Sequence, residues 1–205
     1  MKNRRIRRKP EEAKQHIVDA ALAALMDSDF AELTVATITE RAEMTRSSFY
    51  HYFSGLDELV MTLLKTFESN IRAAVDPWLE GVEKNDPDPR TKTVEVLIRM
   101  YRIYFEHRNT VRIANQAAGV SKRVFEQWQN SAVDYYVNKT EAFIAREVAL
   151  GNSSVDDPRR TARALILMNT ALGIDNSLRA NPDAPEAIGL TAGTIWYQTI
   201  YGKSS

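Results

Sequence analysis

Apolar residues recur along this chain at helical spacing, and no run alternates strictly enough to make a half-buried strand. Behind Pro10, a first helix reaching about Asp27 carries Ile17, Ala21, Leu22, Ala24 and Leu25 toward a core. After Thr34, a short second helix sets Val35, Ile38 and Ala42 at i, i+3, i+7 before Glu43 and Met44 break the pattern. Thr45 is a second N-cap, opening a third helix whose Phe49, Tyr52 and Phe53 share one face. Ser54-Gly55 is a turn, and a longer helix begins near Asp57 with Leu59, Val60, Leu63, Leu64 and Phe67 on its apolar side. From Glu80 to Arg90 the residues read as a solvated loop. Beyond it the spacing predicts helices over about Thr91 to His107, Thr110 to Ala118, Ser121 to Leu150, Pro158 to Ala180 and Pro185 to Tyr201, punctuated by Gly119, Gly151 and Asn181-Pro182. The chain is predicted to be all-α.

Two short capped helices from Thr34 to Phe53 fit a helix-turn-helix. The outer face of the second carries Arg46, Ser47, Tyr50 and His51, side chains suited to phosphate oxygens and base edges. Any solvated helix shows a polar face of this kind, so spacing alone leaves an ordinary helical hairpin equally open. Charge changes the picture through its distribution. The 205 residues carry 27 basic and 27 acidic side chains, a net charge of zero that argues against a nucleic-acid binder. Yet Lys2, Arg4, Arg5, Arg7, Arg8 and Lys9 crowd the N-terminus, where a basic arm could reach phosphates or a minor groove, or simply act as a solubilising tail. The absence of cysteine excludes disulfides and thiolate metal sites, and with three histidines no metal-ligand spacing or glycine-rich phosphate loop appears. No catalytic residue, metal or cofactor is therefore expected. No apolar run approaches the roughly 18 residues of a membrane span, nor does a signal core follow the basic start, so a cytoplasmic protein is expected.

Thr34-Val35-x-x-Ile38, followed by Ala42-x-Met44-Thr45-Arg46-x-x-Phe49-Tyr50-His51-Tyr52-Phe53, resembles the DNA-binding signature of the TetR family of bacterial regulators. The resemblance implies a small helix-turn-helix domain over residues 10–56, preceded by the arm 1–9 and followed by a ligand-binding and dimerisation domain over 57–205. It places Thr34, Thr45, Arg46, Ser47, Tyr50 and His51 against DNA, with Arg4, Arg5, Arg7 and Arg8 reaching from the arm. Two positions depart from the family pattern. Glu43 stands where the turn usually has glycine, implying a turn that either avoids positive φ or strains to reach it. Leu56 stands where the next helix usually opens with a phosphate-binding lysine.

The second half is rich in aromatic residues on separate helices, and Asn169 interrupts the apolar run Leu165-Ile166-Leu167-Met168. A buried amide needs partners, and aromatic walls with a few polar groups are the usual make-up of a small-molecule pocket; a collapsed core with a satisfied amide is the alternative. Val111-Arg112, Asn115 to Ala118, Trp128, Leu167 to Asn169 and Ile195 to Gly202 resemble one mycobacterial subgroup of the same family. That subgroup's regulatory domain holds a long apolar tunnel. Carried over by position, its lining would include Tyr101, Phe105, Trp128, Tyr135, Asn138, Ile166, Met168, Asn169 and Trp196. Asn169 matches a polar anchor there, while Ile166 replaces a second amide and implies a less polar or differently oriented ligand. The last two helices alternate small and large residues: Ala164, Ala171 and Gly173 on one, Ala192, Gly193 and Thr194 on the other. In the family they pair across a two-fold axis, implying a homodimer on a near-palindromic operator with half-sites ~34 Å apart. The function implied is a ligand-responsive repressor released by a small hydrophobic effector. An activator or global regulator of the same fold remains open, as does a helical enzyme using the aromatic cavity.

Overall fold

The computed structural model describes residues 9–27, 29–82 and 88–202, and among these every regular element is helical. The arginines of the arm, Arg4, Arg5, Arg7 and Arg8, lie outside the described residues. Ten α-helices follow in order: α1 (Pro10–Asp27), α2 (Val35–Arg41), α3 (Arg46–Tyr52), α4 (Leu56–Leu79), α5 (Pro89–Glu106), α6 (Arg108–Val120), α7 (Lys122–Trp128), α8 (Tyr135–Ala149), α9 (Pro158–Leu178) and α10 (Pro185–Tyr201). A 3-10 turn (Phe30–Glu32) joins α1 to the stretch before α2, and a π-helical segment (Gln129–Asp134) joins α7 to α8.

Local chemistry sets most of these boundaries. Proline, which has no N–H to lose, opens α5, α9 and α10 at Pro89, Pro158 and Pro185. Asp88 Oδ1 accepts from the backbone N–H groups of Arg90 and Thr91 at 3.0 and 3.2 Å, so α5 begins within the stretch the sequence marks as loop. Gly119 does not end α6, which runs on to Val120. The single long helix expected from Ser121 to Leu150 is three pieces, because i→i+5 bonding takes over between Trp128 and Tyr135.

The 24 residues of α4 form the rod of the molecule. Its first half buries Leu59, Val60 and Leu64, and its second half packs Phe67, Ile71, Val75 and Trp78 into the larger bundle. In the larger bundle α10 lies along α5 and α8 along α9. Small residues explain the first of these pairings. A Cβ on Gly189 would fall 2.5 Å from Ile98 Cα, and one on Gly193 2.7 Å from Val94 Cα, so glycine is what lets α10 lie backbone to backbone on α5. Gly173 faces Tyr104 in the same way. The small-residue pattern thus divides: Gly173, Ala192 and Gly193 are buried within the chain, whereas Ala164 and Ala171 lie on the exposed side of α9. That side also carries Leu167 and Leu178, and the outer side of α10 carries Leu190 and Ile195.

Candidate DNA-reading helix and ligand cavity

The candidate reading head is held by two threonine caps. Thr34 Oγ1 accepts from the Thr37 N–H and Thr45 Oγ1 from the Ser48 N–H, each at 3.1 Å, fixing the first turns of α2 and α3. Between them the chain turns through Glu43, whose φ of 51° lies in the left-handed region, and the Met44 N–H closes the turn on Thr39 O at 2.9 Å. The strained alternative anticipated for this glycine-free turn is the one adopted. Phe49 and Phe53 are fully buried with rings 5.6 Å apart, and Lys14 lies over the Phe53 ring. With that face pinned, Thr45, Arg46, Ser47, Tyr50 and His51 are all exposed on and before α3, and Thr34 is exposed at the start of α2.

A set of polar contacts ties this head to α6 and α7. Arg112 donates to Leu25 O at 2.6 Å, satisfying a carbonyl in the last turn of α1. Gln116, one turn later, donates to Asp29 Oδ1 at 2.8 Å and accepts from the Phe30 N–H at 3.1 Å. Ser121 donates to Asp57 Oδ2 at 2.8 Å, tying the start of α7 to the first turn of α4. In the sequence, Arg112 and Gln116 are a polar i, i+4 pair on a helix that otherwise buries Val111, Ile113, Ala114 and Ala117. That pairing was the available signal for an interdomain contact.

In the larger bundle, α4, α5, α8, α9 and α10 enclose a cavity of about 40 Å³. Phe67 and Trp78 of α4, Met100 and Tyr104 of α5, Ile166 of α9 and Trp196 of α10 supply much of its apolar wall. Its edges include Glu68 and Ser131, whose Oγ lies 2.5 Å from Glu68 Oε1. Asn169 is 95% buried, and its Oδ1 accepts from the Tyr101 hydroxyl and the Trp196 indole N–H, both at 3.2 Å. These two donors orient the amide. Burial pushes the phenols of Tyr101, Tyr104 and Tyr136 well above the ordinary tyrosine range, so all three stay protonated donors. The cavity is far below the ~300 Å³ at which small-molecule pockets begin, so a ligand of ordinary size must displace side chains to enter.

Residues 17–62 match the family described as "Bacterial regulatory proteins, tetR family". Over 191 residues the chain is 26% identical to the HTH-type transcriptional regulator EthR of Mycobacterium tuberculosis (strain H37Rv), covering 92% of this chain and 87% of that protein. EthR of Mycolicibacterium smegmatis is likewise 26% identical over 188 residues, covering 91% and 85%. The chain thus carries a TetR-type DNA-binding region at residues 17–62 and resembles EthR over most of its length. Its fold is shared with Salmonella enterica GusR (TM-score 0.69, 16% identity, 95% of this chain and 98% of that one). It is shared equally with SmeT in a triclosan complex (TM-score 0.69, 19% identity, 91% and 90%).

The residues singled out for the tunnel divide. Ile166, Asn169 and Trp196 line the cavity. Tyr101 stands behind it, holding Asn169, and Trp128 is half-buried and stacked on Phe67 at 6.1 Å. Met168 is half-buried beside the core and Phe105 is 42% exposed; neither reaches the cavity wall. Tyr135 donates its hydroxyl to Asp76 Oδ2 at 2.6 Å, and Asn138 is exposed and accepts from Arg159 at 3.1 Å. The wall instead takes Tyr136 and Thr140 from α8 and Tyr104 from α5. Tyr135 and Asn138, carried over by position from the resemblance, fall on other faces of α8 than Tyr136 and Thr140, which share one face at i, i+4. No helix among the described residues is long and apolar enough to cross a membrane.

Proposed function

We propose that this chain is a homodimeric, ligand-responsive repressor that leaves a near-palindromic operator when a small hydrophobic effector enters the cavity. The observation that carries the reading is α4: one face walls the cavity with Phe67, Ile71, Val75 and Trp78, and its N-terminal end follows the reading helix after only three residues. An effector that pushes this wall outward tilts α4, and Arg112, Gln116 and Ser121 carry α1 and the helix-turn-helix with it. The exposed apolar stripes of α9 and α10, with Leu167, Leu178, Leu190 and Ile195, suit a two-fold four-helix contact that sets the half-site spacing. SmeT, of the same fold, has been solved with triclosan, which supports an apolar effector here. Switching occupancy from 99:1 to 1:99 requires ~10⁴-fold tighter effector binding to the released state.

The test is a genome-wide footprint of the purified full-length protein at near-physiological salt. A few sharp near-palindromic sites, lost when the effector is added, support the proposal. Diffuse binding by protein stripped of copurified ligand overturns it. Deleting residues 1–9 should weaken operator binding and flatten its salt dependence, because those basic side chains would release counterions from phosphates.

A further inference from the structure

Two hydroxyls in the cavity wall have no partner. Tyr136 Oη and Thr140 Oγ1 are buried, line the cavity from adjacent turns of one α8 face, and make no hydrogen bond in the structure. Buried polar groups are nearly always satisfied, and a cluster of exceptions beside a cavity calls for a reason. For Thr140 the contrast is internal to this protein. A helical threonine ordinarily donates back to the carbonyl four residues earlier, as Thr39, Thr62, Thr93, Thr191, Thr194 and Thr199 all do. Thr140, fully buried, does not, so its proton remains available to the cavity.

We propose that Tyr136 and Thr140 form a second polar station of the cavity, besides Asn169, that takes the oxygen of a neutral carbonyl in an otherwise apolar ligand: a ketone, ester or amide rather than a hydrocarbon or a fatty acid. This rests on the effector reading above and adds the ligand's chemistry. Both groups offer protons, the phenol because burial keeps it protonated, so an acceptor is what they lack. A carboxylate would bring two acceptor oxygens, but it would enter beside the carboxylates of Glu68, on the cavity edge, and Asp76, which acts on Tyr136 from α4. The opposing cation, Arg72, is exposed and stacked over the outer ring of Tyr135. Like charges in a low-dielectric wall repel strongly, which selects a neutral acceptor.

Three probes of matching shape separate these classes: 2-decanone, 2-methyl-1-decene, in which CH₂ replaces the oxygen, and nonanoate, in which O⁻ replaces the methyl. Binding to the full-length protein is read by quenching of Trp78 and Trp196 in the cavity wall. The ratio of alkene to ketone dissociation constants should fall about tenfold in the Tyr136→Phe/Thr140→Val double variant, with alkene affinity unchanged. Nonanoate should bind at least about tenfold more weakly than 2-decanone. An unchanged ratio overturns the station while leaving the cavity reading intact, and nonanoate binding as tightly as the ketone overturns the neutral class. Failure of all three probes to bind at any concentration overturns the effector cavity itself. A melting temperature of the unliganded double variant at or above that of the parent is also expected, because isosteric apolar replacements remove unpaired groups. A clear fall would mean the hydroxyls are already satisfied and would overturn the station independently.

Discussion

Asn169→Leu tests whether the cavity is organised around one oriented amide. Leucine matches asparagine in branching and heavy-atom count and suits a buried site, but it cannot accept. The Tyr101 hydroxyl and the Trp196 indole N–H, both 2% exposed, would each be left as a buried donor without an acceptor. Each of the two orphans costs ~1–3 kcal/mol, and the relief from no longer burying an amide returns ~1 kcal/mol, giving a net loss of ~1–5 kcal/mol. For a chain of 205 residues that is a melting temperature lower by ~2–20 °C. Calorimetry of the single variants and of Asn169→Leu/Tyr101→Phe completes the test. Tyr101→Phe alone should cost ~1 kcal/mol, yet on the Asn169→Leu background it should be neutral or stabilising, since it removes one of the two orphans. A drop below ~2 °C for Asn169→Leu, or full additivity in the double variant, would refute the claim that these three side chains act as a unit. Operator affinity at 25 °C should stay close to that of the parent, because the reading head lies elsewhere in the fold.

Gly189→Ala should lower stability by ~1–3 kcal/mol, because its Cβ would meet Ile98 backbone atoms at 2.5 and 2.7 Å; a melt unchanged from the parent would show that α10 can slide on α5 at no cost. Glu43→Gly should leave stability equal or higher by up to ~1 kcal/mol, since relief of the left-handed backbone outweighs the entropy added to the unfolded chain; a clear loss in denaturant titration would mean the glutamate makes a compensating contact. Glu58 accepts from the Ser54 N–H and hydroxyl, both at 2.7 Å, and these bonds hold its carboxyl below the usual glutamate range. Its contribution to stability is therefore fully present above the unfolded carboxylate pKa and is lost as pH falls through the lower folded value. Glu58→Gln should flatten the stability profile in that acidic window, and an unchanged profile there would refute the assignment.

Much of the helix-turn-helix geometry was legible because its determinants are local. Thr34 and Thr45 cap the helices they precede, the Phe49 and Phe53 spacing marks the buried face, and the polar residues opposite follow from periodicity. The glycine-free turn at Glu43 was visible as a departure, although only the structure shows which way it resolves. The cavity was legible in kind, through Ile166, Asn169 and Trp196, but not in its α8 wall, because positional likeness to a subgroup selected Tyr135 and Asn138 while packing turns the face of Tyr136 and Thr140 inward. Gly193 of α10 was legible as a point of close approach, but the pattern pointed to a second copy, whereas Gly193 and the unflagged Gly189 lie against α5.

By itself the sequence determined the all-helical class, the threonine caps of α2 and α3, the prolines that open α1, α9 and α10, and the polar outer face of α3. Each of these depends on residues within a turn or two of one another. Only the tertiary structure decided which aromatic residues meet, that Asn169 is held by Tyr101 and Trp196, that Arg112 and Gln116 reach α1 and the turn after it, and that Tyr136 and Thr140 face a cavity with their hydroxyls unmatched. Those facts depend on helices 27 to 87 residues apart in sequence, whose rotation about their own axes is set by packing and not by propensity.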